Sequence, residues 1–160
     1  MKSKIVSLDE LAARSAALHA GGARLVATNG CFDLLHVGHV RYLSKAREFG
    51  DALVVGVNGD ASVRSLKGET RPVNSETDRA EVLAALACVD LVAVFPELRA
   101  TQFLTRANPT IYVKGGDYTP ETLDSEERAV LDRIGAEIRI IPFEANYSTS
   151  GLLQRLTKDG

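Results

Sequence analysis

Apolar positions along this chain switch repeatedly between a helical and a strand-like period, and the switches predict its elements. Ser7-Leu8-Asp9-Glu10 has the form of a capping box, with Ser7 at the N-cap and Glu10 reaching back to it. Leu8, Leu11, Ala12, Ser15 and Leu18 follow at helical spacing until Gly21-Gly22 stops the helix. Residues 24–28 read as a short strand, followed by a loop and a helix over about 38–49 that Gly50 ends. Leu53-Val54-Val55-Gly56-Val57 is a continuous apolar run of strand length, the pattern of a strand buried on both faces of a parallel sheet. The alternation continues with a helix at 61–66, a polar loop at 67–74 and a helix at 75–87. Strands at 91–95, 111–114 and 137–141 are separated by helices at 98–107 and 125–134, and a last helix covers 151–156.

Strands that alternate with helices form βαβ units with right-handed crossovers. The expected fold is α/β: a doubly wound, mainly parallel five-stranded sheet with helices on both faces. It forms one domain over 1–160, with 1–22 as an N-terminal helical extension and no internal repeat, low-complexity tract or linker. Ligands bind such sheets beyond the carboxyl ends of the strands, near the topological switch point. That rule selects the loops after Ala27, Val57, Phe95, Val113 and Ile141.

Composition narrows the classes. The net charge of −2 leaves no sequence-wide basic field for nucleic acid or an anionic membrane. No apolar stretch approaches the length of a bilayer span. Met1-Lys2-Ser3-Lys4-Ile5-Val6 has lysines but no apolar run behind them, so no signal peptide is expected. Cys31 and Cys88 fit no metal spacing and read as small, partly buried residues of a reduced, cytoplasmic protein.

The chemistry concentrates at His36-Val37-Gly38-His39, where the first strand hands over to its helix. Two of the three histidines in the chain lie in this tetrapeptide. A helix N-terminus offers unpaired N–H groups and the positive end of a dipole, and residues three apart share a face there. Both imidazoles can therefore address one anion, and Gly38 leaves room for a phosphate to approach the backbone. A two-histidine metal site lacks a third ligand nearby, so no metal is expected by side-chain motif.

Gly30-Cys31-Phe32-Asp33-Leu34-Leu35-His36-Val37-Gly38-His39 resembles the cytidylyltransferase-like branch of the HxGH nucleotidyltransferases. These enzymes have a Rossmann-like fold and transfer a nucleotidyl group from a nucleoside triphosphate to a phosphorylated acceptor. Within that branch the chain is most similar to the members that adenylylate a heptose 1-phosphate for the lipopolysaccharide inner core. The closer likeness is carried by Val57-Asn58-Gly59-Asp60-Ala61-Ser62-Val63-Arg64, Lys67-Gly68, Arg71-Pro72-Val73-Asn74 and Asp78-Arg79-Ala80. Val113-Lys114-Gly115-Gly116-Asp117-Tyr118 and Tyr147-Ser148-Thr149-Ser150 complete it.

The resemblance implies catalytic roles for His36, His39, Lys67 and Asp33. It implies nucleotide contacts at Asn29, Gly30, Cys31, Phe32, Gly38, Lys114, Gly115, Ser148, Thr149 and Ser150. Acceptor contacts are implied at Asn58, Asp60, Arg64, Arg71 and Asp117. ATP, a sugar 1-phosphate and Mg²⁺ are the implied ligands, and a homodimer the implied assembly.

Read from the residues alone, the loop with Lys67, Gly68 and Arg71 is either a cationic flap over a triphosphate or a solvated surface loop. Asp33 either orients the nucleophile or a histidine, or caps the loop; the active-site role is expected. Arg79, on a helix, reads equally as half of a surface ion pair with a neighbouring Glu. Lys114-Gly115-Gly116-Asp117 has no P-loop spacing, and its glycines permit a sharp turn or a close ligand. Ser148 or Thr149 is expected to cap the last helix, and three hydroxyls at a helix start suit a phosphate.

Glycerol-3-phosphate cytidylyltransferases, the alternative within the branch, carry an arginine where this chain has Phe143, which favours the heptose reading. A nucleotide-binding module without turnover is the alternative outside enzymes, and the intact His36, His39 and Lys67 speak against it. Class I aminoacyl-tRNA synthetases share the HxGH logic, but this length and charge leave no room for tRNA. Many relatives carry a sugar kinase upstream, whereas this chain starts at what resembles the linking helix. A separate heptose kinase is expected to supply the substrate, with a phosphatase between the two.

Overall fold

A computed structural model describes residues 3–116, 118–142, 144 and 147–158. The chain runs α1 (Leu8–Ala20), β1 (Leu25–Gly30), α2 (Val37–Arg47), β2 (Ala52–Asn58), α3 (Asp60–Lys67), α4 (Glu76–Ala84) and β3 (Leu91–Phe95). It continues through α5 (Thr101–Ala107), β4 (Ile111–Gly115), a 3₁₀ turn (Pro120–Thr122), α6 (Ser125–Ile134), β5 (Glu137–Ile141) and α7 (Thr149–Lys158). The five strands form one parallel sheet in the order β3-β2-β1-β4-β5. Among the described residues no helix is long and apolar enough to cross a membrane.

Each face of the sheet buries its own core. Leu11 of α1, Phe103 and Leu104 of α5 and Leu131 of α6 pack with Leu25, Val54, Phe95 and Tyr112 on one side. Leu43 of α2 and Ala80 and Leu83 of α4 pack with Val26, Leu53, Val55 and Val113 on the other. Alternate residues of β2 serve the two cores, so every position of that strand is buried, as its unbroken apolar run implies. The segment before α1 pairs with the outer edge of β3 through Val6 N–H to Val92 O and Val92 N–H to Lys4 O, both 2.9 Å. That pairing satisfies an edge that would otherwise be open.

The elements depart from the periodicity mainly at their ends. The capping box of α1 forms as read, with Ser7 Oγ accepting from Glu10 N–H and Glu10 Oε2 accepting from Ser7 N–H. β1 runs on to Gly30 because Asn29 and Gly30 stay in register with Gly56 and Val57 of β2. The helix expected from 98 begins only at Thr101, where the buried Ala100 N–H donates to Glu127 Oε1 of α6 at 2.8 Å. A cap supplied from another helix leaves no local trace in sequence. α4 stops at Ala84, short of the expected 87.

β1 lies between β2 and β4, so the chain leaves β1 to one side and returns from β3 to the other. The carboxyl ends of β1 and β4 therefore flank the switch point, where a crevice opens.

Candidate active site

A cavity of about 820 Å³ occupies that crevice. Asn29 and Gly30 at the end of β1, the Cys31–Asp33 loop, and His36, Gly38 and His39 at the start of α2 line one side. Lys114 and Gly115 at the end of β4, Lys67 at the end of α3, and Ser148, Thr149 and Ser150 at the start of α7 line the rest. Two helix N-termini thus open on one space, each with unpaired N–H groups and a positive dipole end.

The histidine pair is a cap as well as a wall. His36 is the N-cap of α2, and its Nδ1 accepts from Gly38 N–H at 3.1 Å. His39 Nδ1 in turn accepts from His36 N–H at 3.3 Å. With both Nδ1 atoms accepting, the neutral tautomer of each ring carries its proton on Nε2, where it is a donor. The ring centroids are 4.0 Å apart. Burial, then the neighbouring His36 and Lys67, push His39 down to about 4. Burial and Arg155 push His36 down as well. Neutral donors cost less to hold together than two imidazolium ions at this separation.

Gly38 serves more than ligand access. A Cβ there would lie 2.8 Å from Tyr147 Cβ and 2.9 Å from the His36 ring, so its lack of a side chain lets both pack on α2. Phe32 enters the site with φ +47, a conformation unusual for a bulky residue. Its buried ring meets His39 edge-on at 5.6 Å. Ser148 caps α7 by accepting from Gly151 N–H at 2.9 Å, and Thr149 Oγ1 donates to Leu34 O at 3.4 Å. Lys114 Nζ lies 5.0 Å from the Tyr118 ring centroid. Burial pushes the Cys31 thiol up, so it stays protonated.

Asp33 lines the cavity but is bound to protein partners, and Asn58, Asp60, Arg64 and Arg71 lie outside the lining. Asp33 is buried, and its Oδ1 accepts from Val73 and Asn74 N–H while Oδ2 accepts from Val73 N–H and Arg71 Nε. Burial alone would push this carboxyl up; those backbone donors and the Arg71 guanidinium hold it below the usual range instead. Its oxygens are engaged within the protein, so Asp33 holds the 71–74 loop at the edge of the cavity that it lines. Arg71, expected at the acceptor, is the partner in that clamp. Asn58 donates to Ser62 Oγ, Asp60 pairs with Arg79, and Arg64 points from the exposed last turn of α3. None of these four, Arg71 included, lines the cavity. Asp117 and Phe143 lie outside the described residues.

Arg79 is no surface residue. It is 2% exposed and donates to Asn74 O, Cys31 O and Asp60 Oδ1. The sequence reading also missed Arg41, Tyr42, Ser44, Lys45 and Glu48, which continue the cavity wall along α2, and Tyr147 and Glu144 opposite. Arg41 bridges to Glu144 at 2.6 Å and lies 5.4 Å from the Tyr147 ring centroid, while that ring stacks on His36 at 6.3 Å. Helical spacing from Gly38 to 41, 42, 45 and 48 is a signal that finds all of the α2 set but Ser44.

A parallel sheet of this topology, with two helix N-termini and a histidine pair opening on its switch point, has the architecture of a nucleotidyltransferase. The chain belongs to the cytidylyltransferase-like family, whose pattern matches residues 27–155. It is 50% identical to the bifunctional protein HldE of Geotalea uraniireducens over 154 residues, 96% of this chain and 31% of that protein. It is 47% identical to HldE of Geobacter sulfurreducens over 156 residues, 98% of this chain and 31% of that one. The chain thus spans about a third of the length of these curated relatives. The crystal structure of a lipopolysaccharide core biosynthesis protein from Thermoplasma volcanium superposes with a TM-score of 0.64 at 27% identity, covering 79% of this chain and all of that one. Pantoate-beta-alanine ligase from Francisella tularensis shares the fold, with a TM-score of 0.60 at 14% identity over 91% of this chain and 68% of that one.

Proposed function

We propose that the chain transfers AMP from ATP to D-glycero-β-D-manno-heptose 1-phosphate, giving ADP-heptose and pyrophosphate for the lipopolysaccharide inner core. The observation that carries the reading is the identity of about half the residues with HldE proteins over nearly the whole chain. The convergence of α2 and α7 on one cavity supports the phosphate chemistry.

The acceptor's phosphate oxygen attacks the α-phosphorus of ATP in line, and the bond to the bridging oxygen of pyrophosphate breaks. No covalent enzyme intermediate is needed, so the protein contributes position and charge stabilisation. The Nε2–H groups of His36 and His39 donate to phosphate oxygens as charge builds on them. Lys67, the hydroxyls of Ser148, Thr149 and Ser150, and the N–H groups at the start of α7 hold the departing pyrophosphate. Asn29, Gly30, Phe32, Lys114 and Gly115 form the nucleotide's side of the cleft.

Mg²⁺, carried by the triphosphate as part of the substrate, would supply neutralisation of phosphate charge. The donor set fits that role: the Asp33 oxygens hold a loop, and Glu48 and Glu144 pair with Lys45 and Arg41. Phosphate oxygens and water would then be its main ligands, as is usual for this ion.

A screen of nucleoside triphosphates against phosphorylated acceptors, read by pyrophosphate release, tests the reading. Release with ATP and the heptose 1-phosphate, lost in His36→Ala and His39→Ala, supports it. Release only with another acceptor overturns the heptose assignment.

A further inference from the structure

Among the described residues Arg79 is one of the largest fully buried side chains, in the company of Tyr112, Phe95, Phe103 and core leucines. A guanidinium so enclosed is retained only where its donors are matched. Its three acceptors come from three separate elements: Cys31 O from the loop after β1 at 2.6 Å, Asn74 O from the loop before α4 at 3.1 Å, and Asp60 Oδ1 from the first turn of α3 at 2.8 Å. Asp33 grips the same 71–74 loop through Val73 N–H, Asn74 N–H and Arg71, and its own carbonyl accepts from Asn74 Nδ2 at 2.8 Å.

Between these anchors lies 67–70. All four residues are exposed, and Gly68 turns the chain there with φ +104. Lys67 is the last residue of α3 and reaches the cavity, while Asp60 at the other end of that helix is the residue Arg79 holds. The eight residues of this helix make a rigid arm of about 10 Å between its ends. Fixing Asp60 against the Cys31 carbonyl therefore fixes where Lys67 stands relative to the histidine pair.

We propose that Arg79 is a positioning residue, which ties α3 and the 71–74 loop to the loop after β1 and so sets Lys67 over the phosphates of the bound triphosphate. The inference rests on the reading of Lys67 as a triphosphate ligand and extends it to residues that touch no substrate. Asp33 is the second member of the device, because it anchors the far end of the same span.

A double-mutant cycle on the whole chain tests it, with magnesium tripolyphosphate as the probe and titration calorimetry as the readout. The probe carries no base or acceptor, so the result is independent of whether the unmodified chain makes ADP-heptose, which is scored separately. Lys67→Ala is expected to weaken binding about tenfold, and Arg79→Lys about fivefold. On the Lys67→Ala background, Arg79→Lys should change Kd less than about twofold, because the group it places is gone. A merely structural role would instead lower the melting temperature and the binding stoichiometry at unchanged Kd. The proposal is overturned by an equal loss on both backgrounds, by an unchanged Kd in Arg79→Lys, or by an unchanged Kd in Lys67→Ala. Should Arg79→Lys not fold, Asp33→Asn enters the same cycle with the same expectation.

Discussion

Acidification should loosen this fold through His39 before it reaches most carboxylates. Burial, with help from His36 and Lys67, pushes this ring down to about 4, whereas in the unfolded chain it titrates near its ordinary value of 6.5. The unfolded state therefore binds the proton first. Stability from the neutral ring is complete above pH 6.5 and is lost as pH falls from there toward 4. At pH 5 the difference in proton binding between the two states is worth about 2 kcal/mol, and partial exposure of the ring reduces this to about 1–2 kcal/mol. Urea unfolding at pH 7.5 and pH 5.0 measures the loss directly. His39→Asn keeps a polar atom near the His36 N–H that His39 Nδ1 now accepts, without a titrating ring. The variant should be less stable at pH 7.5 and lose about 1–2 kcal/mol less than the unmodified chain on acidification. An identical pH dependence in both proteins would refute the reasoning. Bound triphosphate should reverse the effect, because an adjacent anion raises imidazole pKa values, and proton uptake on binding at pH 6 would register it.

Gly38→Ala should destabilise by about 1–2 kcal/mol by urea unfolding, because overpacking against Tyr147 and His36 outweighs the helix propensity of alanine. It should also cut transfer activity, since the displaced ring is one of the proposed donors. Ser148→Ala removes the side-chain cap of α7 and should cost about 1 kcal/mol, with weaker triphosphate binding in the same calorimeter. Tyr42→Phe strands Val113 O and Thr28 Oγ1, which its buried hydroxyl joins at 3.1 and 2.7 Å, and should lower stability by about 1–2 kcal/mol.

Period and caps carried the fold into view, while through-space partners stayed hidden. The apolar run of β2, the capping box before α1 and the histidines at the head of α2 all act within a few residues of themselves, so their spacing is enough to read them. The late start of α5 depends on Glu127, and the clamp on Asp33 depends on residues 71–74, contacts that local sequence does not encode. Arg79 is the sharpest instance. In a helical window it looks like one more exposed charge, and only the folded chain brings carbonyls from two loops and a carboxylate from α3 around it. Asn58, Asp60 and Arg71 form part of the likeness by motif, and their partners in the folded chain, Ser62, Arg79 and Asp33, are likewise invisible to a local window.

The central claim is adenylyl transfer to a heptose 1-phosphate at the crevice between β1 and β4. Phosphorus NMR of the purified chain with Mg²⁺, the β-anomer of heptose 1-phosphate and each nucleoside triphosphate in turn tests it most directly. The account predicts ADP-heptose and pyrophosphate with ATP, and neither product once His36 or His39 is replaced by alanine. No nucleotide sugar with any triphosphate, or undiminished product in both histidine variants, would contradict it.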